Sequence, residues 1–203
     1  MKICVTFIRH GATASNREGR YLGKTDEPLS EEGIRVLQQY KDAGNYPVAD
    51  ILFSSPMKRC LETAQILYPG QTPVRIPEWT EMDFGAFEGH NYKELSGDPG
   101  YQQWIDSGGM LPFPEGESRE QFIRRSIAGF ESMVRKASGC RKRNTGIQNV
   151  IAVVHGGTIM ALLSSFLGSN YFDYQVKCGQ GYTGSLVFTE CTEKPKWVDW
   201  KLL

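Results

Sequence analysis

The sequence predicts an α/β protein, a three-layer α/β/α sandwich around a mainly parallel sheet. Short apolar runs rich in β-branched residues alternate with segments of helical periodicity, the pattern of strands joined by crossover helices. The helical segments open at serines and stop at glycine or proline, so their limits are marked by cap chemistry. The length of 203 residues suits one domain spanning 1–203, since a single core grows to that size before chains split.

Taken in order, Ile3-Cys4-Val5-Thr6-Phe7-Ile8 is a buried strand. A helix follows Pro28-Leu29-Ser30: Ser30 caps it, and Leu29 and Ile34 have the spacing of a hydrophobic staple. Ile34, Leu37 and Tyr40 then carry an apolar stripe towards Gly44. Asp50 to Ser54 is a second strand. Ser55-Pro56 reads as a cap with proline at the first helical position, opening a helix that runs to Tyr68 and stops at Pro69-Gly70. Val74 to Ile76 is a third, short strand. Ser118 to Ala137 is the longest helix, with Ser118 and Gln121 as a capping box and Phe122, Ile127, Phe130 and Met133 on one face. The basic run Arg141-Lys142-Arg143, among Gly139, Asn144 and Gly146, reads as a solvated loop. Asn149 to Val154 is a strand and Gly157 to Leu167 an apolar helix ended by Gly168. Leu186 to Thr189 and Trp197 to Lys201 form a closing hairpin. The stretch 85–117, rich in Gly, Pro and aromatics, is long for a connection and reads as a lid-like insertion with short helices.

Composition narrows the class. Lys plus Arg and Asp plus Glu both total 23, and this balance argues against a nucleic-acid or anionic-membrane partner. Five cysteines without C-x-x-C spacing fit neither a disulfide framework nor a zinc site. The N-terminus lacks a signal-peptide layout and no stretch is long enough to span a bilayer, so the expected compartment is the cytoplasm.

Two of the three histidines stand at strand ends. His10 follows the first strand through Arg9, and His155 follows the strand ending at Val154. Ligands of open α/β sheets bind at the carboxyl ends of strands, which places both imidazoles at one crevice. Gly11 and Gly156-Gly157 come next, where glycine lets backbone N–H groups approach an anion at a helix N-terminus.

From Phe7-Ile8-Arg9-His10-Gly11 to Asn16, the chain resembles the signature of the histidine phosphatase superfamily, in its phosphoglycerate mutase-like branch. The resemblance continues through Gly19 to Gly23, Asp26 to Ser30, Ser54 to Ala64, Glu81 to Gly89, Gly116-Glu117-Ser118 and Val154 to Gly157, in the family's order. It implies a phosphoglycerate mutase-like fold and no metal or other cofactor. His10 matches the nucleophile, and Arg9, Arg59 and His155 match the phosphate pocket. Arginine suits that task because its planar fork grips two phosphate oxygens. Glu81 matches the proton donor to the leaving oxygen. Asn16, Thr13, Gly156 and Glu117 are further candidates for contact with phosphate or substrate. Arg20 and Tyr21 either line the entrance or pack beneath it. Ser55 is read as a helix cap only, His90 as an exposed loop residue, and Cys60 as a small buried residue. Phe84, Phe87, Trp104 and Phe113 remain open as core, lid or leaving-group contacts.

The resemblance implies a phosphomonoesterase acting on a small soluble ester through phosphohistidine. The stretch Arg20 to Leu29 is similar to that of α-ribazole phosphatases and of related enzymes. A cofactor-dependent phosphoglycerate mutase is the alternative, and a non-catalytic phosphate-binding module an alternative of another class. Charge weighs against the mutase: between Glu81 and Ser118 the only cation is Lys93, facing Asp83, Glu88, Glu94, Asp98, Asp106, Glu115 and Glu117. Such a lid is expected to repel a bisphosphorylated intermediate. All five residues Arg9, His10, Arg59, Glu81 and His155 are present, which weighs against a non-catalytic module.

Overall fold

The computed structural model describes residues 2–143, 148–188 and 195–203. Six strands form one sheet: β1 (Lys2–Arg9), β2 (Ile51–Ser54), β3 (Val74–Arg75), β4 (Asn149–Val154), β5 (Gly181–Val187) and β6 (Lys196–Leu202), in the order β3-β2-β4-β1-β5-β6. Strands β1 to β4 pair in parallel, and β5 and β6 add an antiparallel edge. The expected hairpin is present, although β5 starts five residues before Leu186; Thr189 lies outside the described residues.

Alternation along the strands makes three layers. Ile3, Val5 and Phe7 of β1 point to a core shared with Phe130 and Met133 of α5 (Arg119–Arg143) and Ile159, Leu162 and Leu163 of α6 (Gly156–Leu167). Ile8 of β1 and Ile151 and Val153 of β4 point to the other face. There they meet Leu37 of α2 (Glu31–Asp42) and Cys60, Ala64 and Leu67 of α3 (Lys58–Leu67). At about 25 cal/mol per Å² of apolar surface, these two interfaces supply most of the drive for folding.

Several expected boundaries move. Ser30 caps α2 by accepting from the Gly33 N–H at 3.0 Å, but Ile34 is exposed, so the stripe on α2 narrows to Leu37 with half-buried Tyr40. Helix α3 begins at Lys58, and Ser55-Pro56 precedes it outside the helix. The Ser118–Gln121 capping box forms, with reciprocal bonds of 2.9 and 3.1 Å. Helix α5 continues to Arg143 and takes the basic run into its last turn, where a loop was expected. Arginine and lysine are good helix formers, so the run can continue the helix.

The lid-like stretch holds a short 3-10 turn at Gly85–Phe87 and helix α4 (Pro99–Asp106), with its own apolar cluster. Phe87, Leu95 and Phe113 are buried there with Phe122 of α5 and Ala161 of α6. Its two ends are bound together: Glu117 N–H donates to the Asp83 carbonyl at 2.9 Å and Ala86 N–H to Pro114 at 2.8 Å. Gly85 sits at φ 51°, and a Cβ there would collide with the Pro114 carbonyl, so this stem requires glycine. Among the described residues, no helix is long and apolar enough to cross a membrane.

Candidate active site

Strand register brings the two histidines together. Arg9 of β1 pairs with Val154 of β4, and the His10 N–H donates to the Val154 carbonyl at 3.0 Å. The next residue of each strand is therefore delivered to the same sheet edge, with imidazole centroids 5.1 Å apart. His155 leads into α6, whose first-turn N–H groups carry the positive end of the helix dipole.

His10 is almost fully buried. Burial, then the positive charges of Arg59 and Arg9, hold its pKa well below the usual imidazole value, against the pull of its bond to Gly11. A neutral ring carries one proton, and the 2.7 Å contact of Nδ1 with the Gly11 carbonyl puts it on Nδ1, because a carbonyl only accepts. Nε2 is left with its lone pair.

His155 is neutral for the same first reason, burial, followed by Arg59, His10 and Arg9. Arg59 Nε donates to its Nδ1 at 3.4 Å, so the ring proton lies on Nε2 and is given to Ser55 Oγ at 2.8 Å. Both edges of this ring are engaged by protein. Sequence reasoning took Ser55 for a helix cap; instead it orients His155, and a Ser-Pro pair before a helix gave no signal of that.

Arg59 is completely buried behind the histidines. Its two terminal nitrogens donate to the carbonyls of Thr25 and Gly23, each at 2.9 Å. It supplies a fixed charge from behind, while Arg9 reaches the open space. Arg9 donates to the Val176 carbonyl at 2.7 Å, and its Nε is buried without a partner. An unmet guanidinium donor beside a cavity is suited to an anion.

Glu81 is buried at the cavity wall, with Oε1 accepting from the Met82 N–H at 2.9 Å and Oε2 4.0 Å from His155 Nδ1. His155 is neutral, so this approach is not an ion pair. Burial raises the Glu81 pKa, opposed by the Met82 bond and by Arg59, Arg9 and Arg125. The carboxyl can therefore hold a proton closer to neutrality than an exposed one. Gly157 makes room for it: a Cβ there would stand 2.6 Å from Oε1.

These groups open onto a cavity of about 380 Å³. Arg9, His10, Asn16, Glu81, Gly156 and Gly157 form its polar end. Tyr21, Phe84, Trp104, Phe113, Tyr171 and Phe172 form aromatic walls beyond. Tyr21 thus lines the entrance, whereas Arg20 turns away to Glu94 and Glu18, both at 2.6 Å. Phe87 belongs to the lid core, and His90 is exposed as expected.

Thr13 and Glu117 do not reach the cavity wall. Thr13 is fully buried and caps α1 (Ala14–Arg17), accepting from the Asn16 N–H at 3.3 Å, while Asn16 Oδ1 accepts from Thr13 N–H. Glu117 grips Arg125 with both oxygens, at 2.7 and 2.8 Å. The other lid carboxylates also lie off the wall. Asp83 pairs with Lys24, Glu94 with Arg20, Glu88 accepts from Gly23 and Thr25 N–H, and Asp98 caps α4. Among the described residues, none of the seven lid carboxylates therefore lines the cavity. One cation lines the outer wall: Arg119, stacked on Tyr171 and Phe172 at 5.0 and 5.1 Å. It stands one residue beyond the segment whose charges the sequence reading counted.

Known proteins share this fold. The model of the histidine phosphatase superfamily (branch 1) matches residues 5–201. A Yersinia pestis protein named "Probable phosphoglycerate mutase GpmB" is 31% identical over 174 residues, covering 81% of this chain and 74% of its own. The crystal structure of phosphoglycerate mutase from Thermus thermophilus superposes with a TM-score of 0.66 at 29% identity, covering 100% of this chain and 99% of that one. The alpha-ribazole phosphatase from Shigella flexneri gives 0.76 at 24% identity, covering 97% and 95%, a likeness of fold.

Proposed function

The chain belongs to the histidine phosphatase superfamily, branch 1, and on that footing we propose that it is a phosphomonoesterase working through a phosphohistidine on His10 without a metal. The observation that carries this is the buried, neutral His10, its proton on Nδ1 and its Nε2 lone pair at the polar end of the cavity. Superfamily members are phosphatases or mutases that use a catalytic histidine.

The monoester phosphate sits against Arg9, whose unpartnered Nε supplies a donor, with Asn16 and the α6 N-terminus at Gly156 beside it. Arg59 adds charge from behind. His10 Nε2 attacks phosphorus; the N–P bond forms as the P–O bond to the leaving oxygen breaks, and Glu81 gives its proton to that oxygen. The ring becomes positive, and the Gly11 carbonyl on Nδ1–H stabilises it. The alcohol leaves. Water then attacks phosphorus, Glu81 takes its proton, the N–P bond breaks, and neutral His10 returns. Fixed positive charge suits a transition state that spreads its charge over the equatorial oxygens.

The aromatic walls support a leaving alcohol with an apolar or aromatic body, and α-ribazole 5′-phosphate is a candidate of that kind. A cytoplasmic enzyme with a small soluble substrate, and with no nucleic-acid or membrane partner, completes the proposal. Phosphoglycerate mutation is the second possibility, favoured by Arg119 on the outer wall and by the Yersinia relative. One outer arginine is a thin counter-charge for the second phosphate and the carboxylate of a bisphosphoglycerate. The test is a paired assay on one preparation: phosphate release from monoesters, α-ribazole 5′-phosphate among them, and interconversion of 2- and 3-phosphoglycerate with bisphosphoglycerate supplied. Phosphate release is expected to dominate. Faster isomerisation would make the chain a mutase, and no turnover of either kind would return it to a binding module.

A further inference from the structure

We propose that Arg125 is the positioning residue for Glu81, its guanidinium locked by the Glu117 carboxylate and fixing the turn that carries the proton donor. This rests on Glu81 acting as the acid, as proposed above.

The turn around Glu81 is irregular. After the short 3-10 turn at Pro77–Trp79, residues 80–84 belong to no helix or strand, so no ladder fixes their carbonyls. Arg125 of α5 fills that role from 44 residues away. Its Nη1 donates to the carbonyls of Glu78 and Thr80 at 2.8 and 2.6 Å, and its Nη2 to the carbonyl of Glu81 itself at 2.9 Å. The remaining edge of the guanidinium is taken by Glu117, Nε to Oε1 at 2.7 Å and Nη2 to Oε2 at 2.8 Å. Glu117 Oε2 also accepts from the Asp83 N–H at 3.3 Å, so the clamp closes on both sides of Glu81. The face of the guanidinium lies on the Phe122 ring at 4.7 Å, and that ring packs beside Gly157, against which the Glu81 carboxyl rests.

Every edge of Arg125 is therefore spent on the backbone of one turn and on the counter-ion that orients it. A partly buried ion pair adds little stability on average, but a planar fork held at both ends fixes direction. Lysine would keep the charge and lose the fork. A proton donor works only within hydrogen-bond reach of the leaving oxygen, and a displacement of about 1 Å costs on the order of 100-fold.

The test compares two esters in the first chemical step, by rapid quench: 3-phenylpropyl phosphate, whose alkoxide needs a proton, and p-nitrophenyl phosphate, whose phenolate does not. Arg125→Met should slow phosphorylation of His10 by the alkyl ester about 100-fold and the nitrophenol burst about threefold or less. Arg125→Lys should lie between wild type and Arg125→Met on the alkyl ester. Glu117→Gln, a gentler change should Arg125→Met fail to fold, should show the same selectivity at reduced size. In a Glu81→Gln background, Arg125→Met should add no further loss on the alkyl ester. Equal losses on the two esters, additive losses in the double variant, or no loss at all would overturn the positioning role. If Glu81→Gln alone slows both esters equally, Glu81 is not the acid and the proposal for Arg125 falls with it. If Glu81→Gln is selective and Arg125→Met is not, only the proposal for Arg125 fails.

Discussion

Gly157→Ala should separate stability from activity. A Cβ at this position would lie 2.6 Å from Glu81 Oε1 and 3.1 Å from Phe122 Cζ. An ordinary contact begins near 3.4 Å. The carboxyl must therefore retreat by about 0.8 Å, the difference between those distances, and Phe122 by a few tenths of an ångström. Oε1 is the far end of a side chain, so it yields before the backbone does. The movement pulls it from the Met82 N–H, which it holds at 2.9 Å. Alanine meanwhile improves the first turn of α6 by up to about 1 kcal/mol over glycine, offsetting the crowding of Phe122. Stability should change by less than about 1 kcal/mol, read by urea denaturation. Phosphorylation of His10 by an alkyl phosphate should slow on the order of 100-fold, the penalty for misplacing a catalytic group by about 1 Å. The reasoning is refuted if the variant keeps wild-type rates while its stability holds or rises, because the alanine methyl would then share the site with an undisturbed carboxyl.

Other expectations follow from the same geometry. Acid-labile label from a radioactive ester should appear on a peptide containing His10; label on His155 would reverse the two roles. His10 must be neutral to attack, and its pKa is held low by burial and two arginines, so the acidic limb of kcat/KM should fall below the ordinary imidazole value of about 6.5. An acidic limb at or above that value, for an ester whose own phosphate pKa lies lower, would show that the ring is solvated. Ser55→Ala leaves the His155 Nε2 proton buried with only the weak acceptor Cys60 Sγ, at 3.6 Å, which should cost about 1–3 kcal/mol in urea denaturation. Chelators should leave turnover intact, since the arginines supply the positive charge, and vanadate should inhibit; activity lost to chelation and restored by a divalent ion would contradict this.

How much of this was legible in the sequence depends on the range of the interaction. His10 and His155 were readable as partners because each follows a strand directly, and parallel register carries that local fact to one edge. The Ser118–Gln121 cap was readable because both partners lie within four residues. Ser55 was misread for the opposite reason. Its own neighbours, a proline and a helix, describe a cap, while its bond runs to a histidine 100 residues away. Arg125 was invisible in the same way: on α5 it is one of several charged residues, and only the fold lays its guanidinium under the turn of Glu81. Ile34 and the run Arg141-Lys142-Arg143 show a different limit. Periodicity tells which residues are apolar, but neither how wide a face the neighbouring helix covers nor where a helix of polar residues ends.

The choice between phosphatase and mutase turns on where charge sits rather than on how much there is. Seven acidic side chains against one lysine made the lid look hostile to polyanions. In the fold five of those acids serve the scaffold: Glu117 locks Arg125, Asp83 and Glu94 take Lys24 and Arg20, Glu88 ties two loop N–H groups, and Asp98 caps a helix. None of the seven lines the cavity, and the lysine or arginine partners of Asp83, Glu94 and Glu117 offset much of the charge they would present to it. What remains is the wall itself. Six aromatic side chains and the guanidinium of Arg119 line the cavity beyond its polar end. Burying the hydrated second phosphate of a mutase intermediate against aromatic carbon carries a desolvation cost that one arginine offsets only in part. An alcohol with an apolar body loses water there at a gain of about 25 cal/mol per Å². On the proposed phosphatase reading, Arg119→Met should weaken phosphoglycerate turnover more than that of a neutral aryl ester.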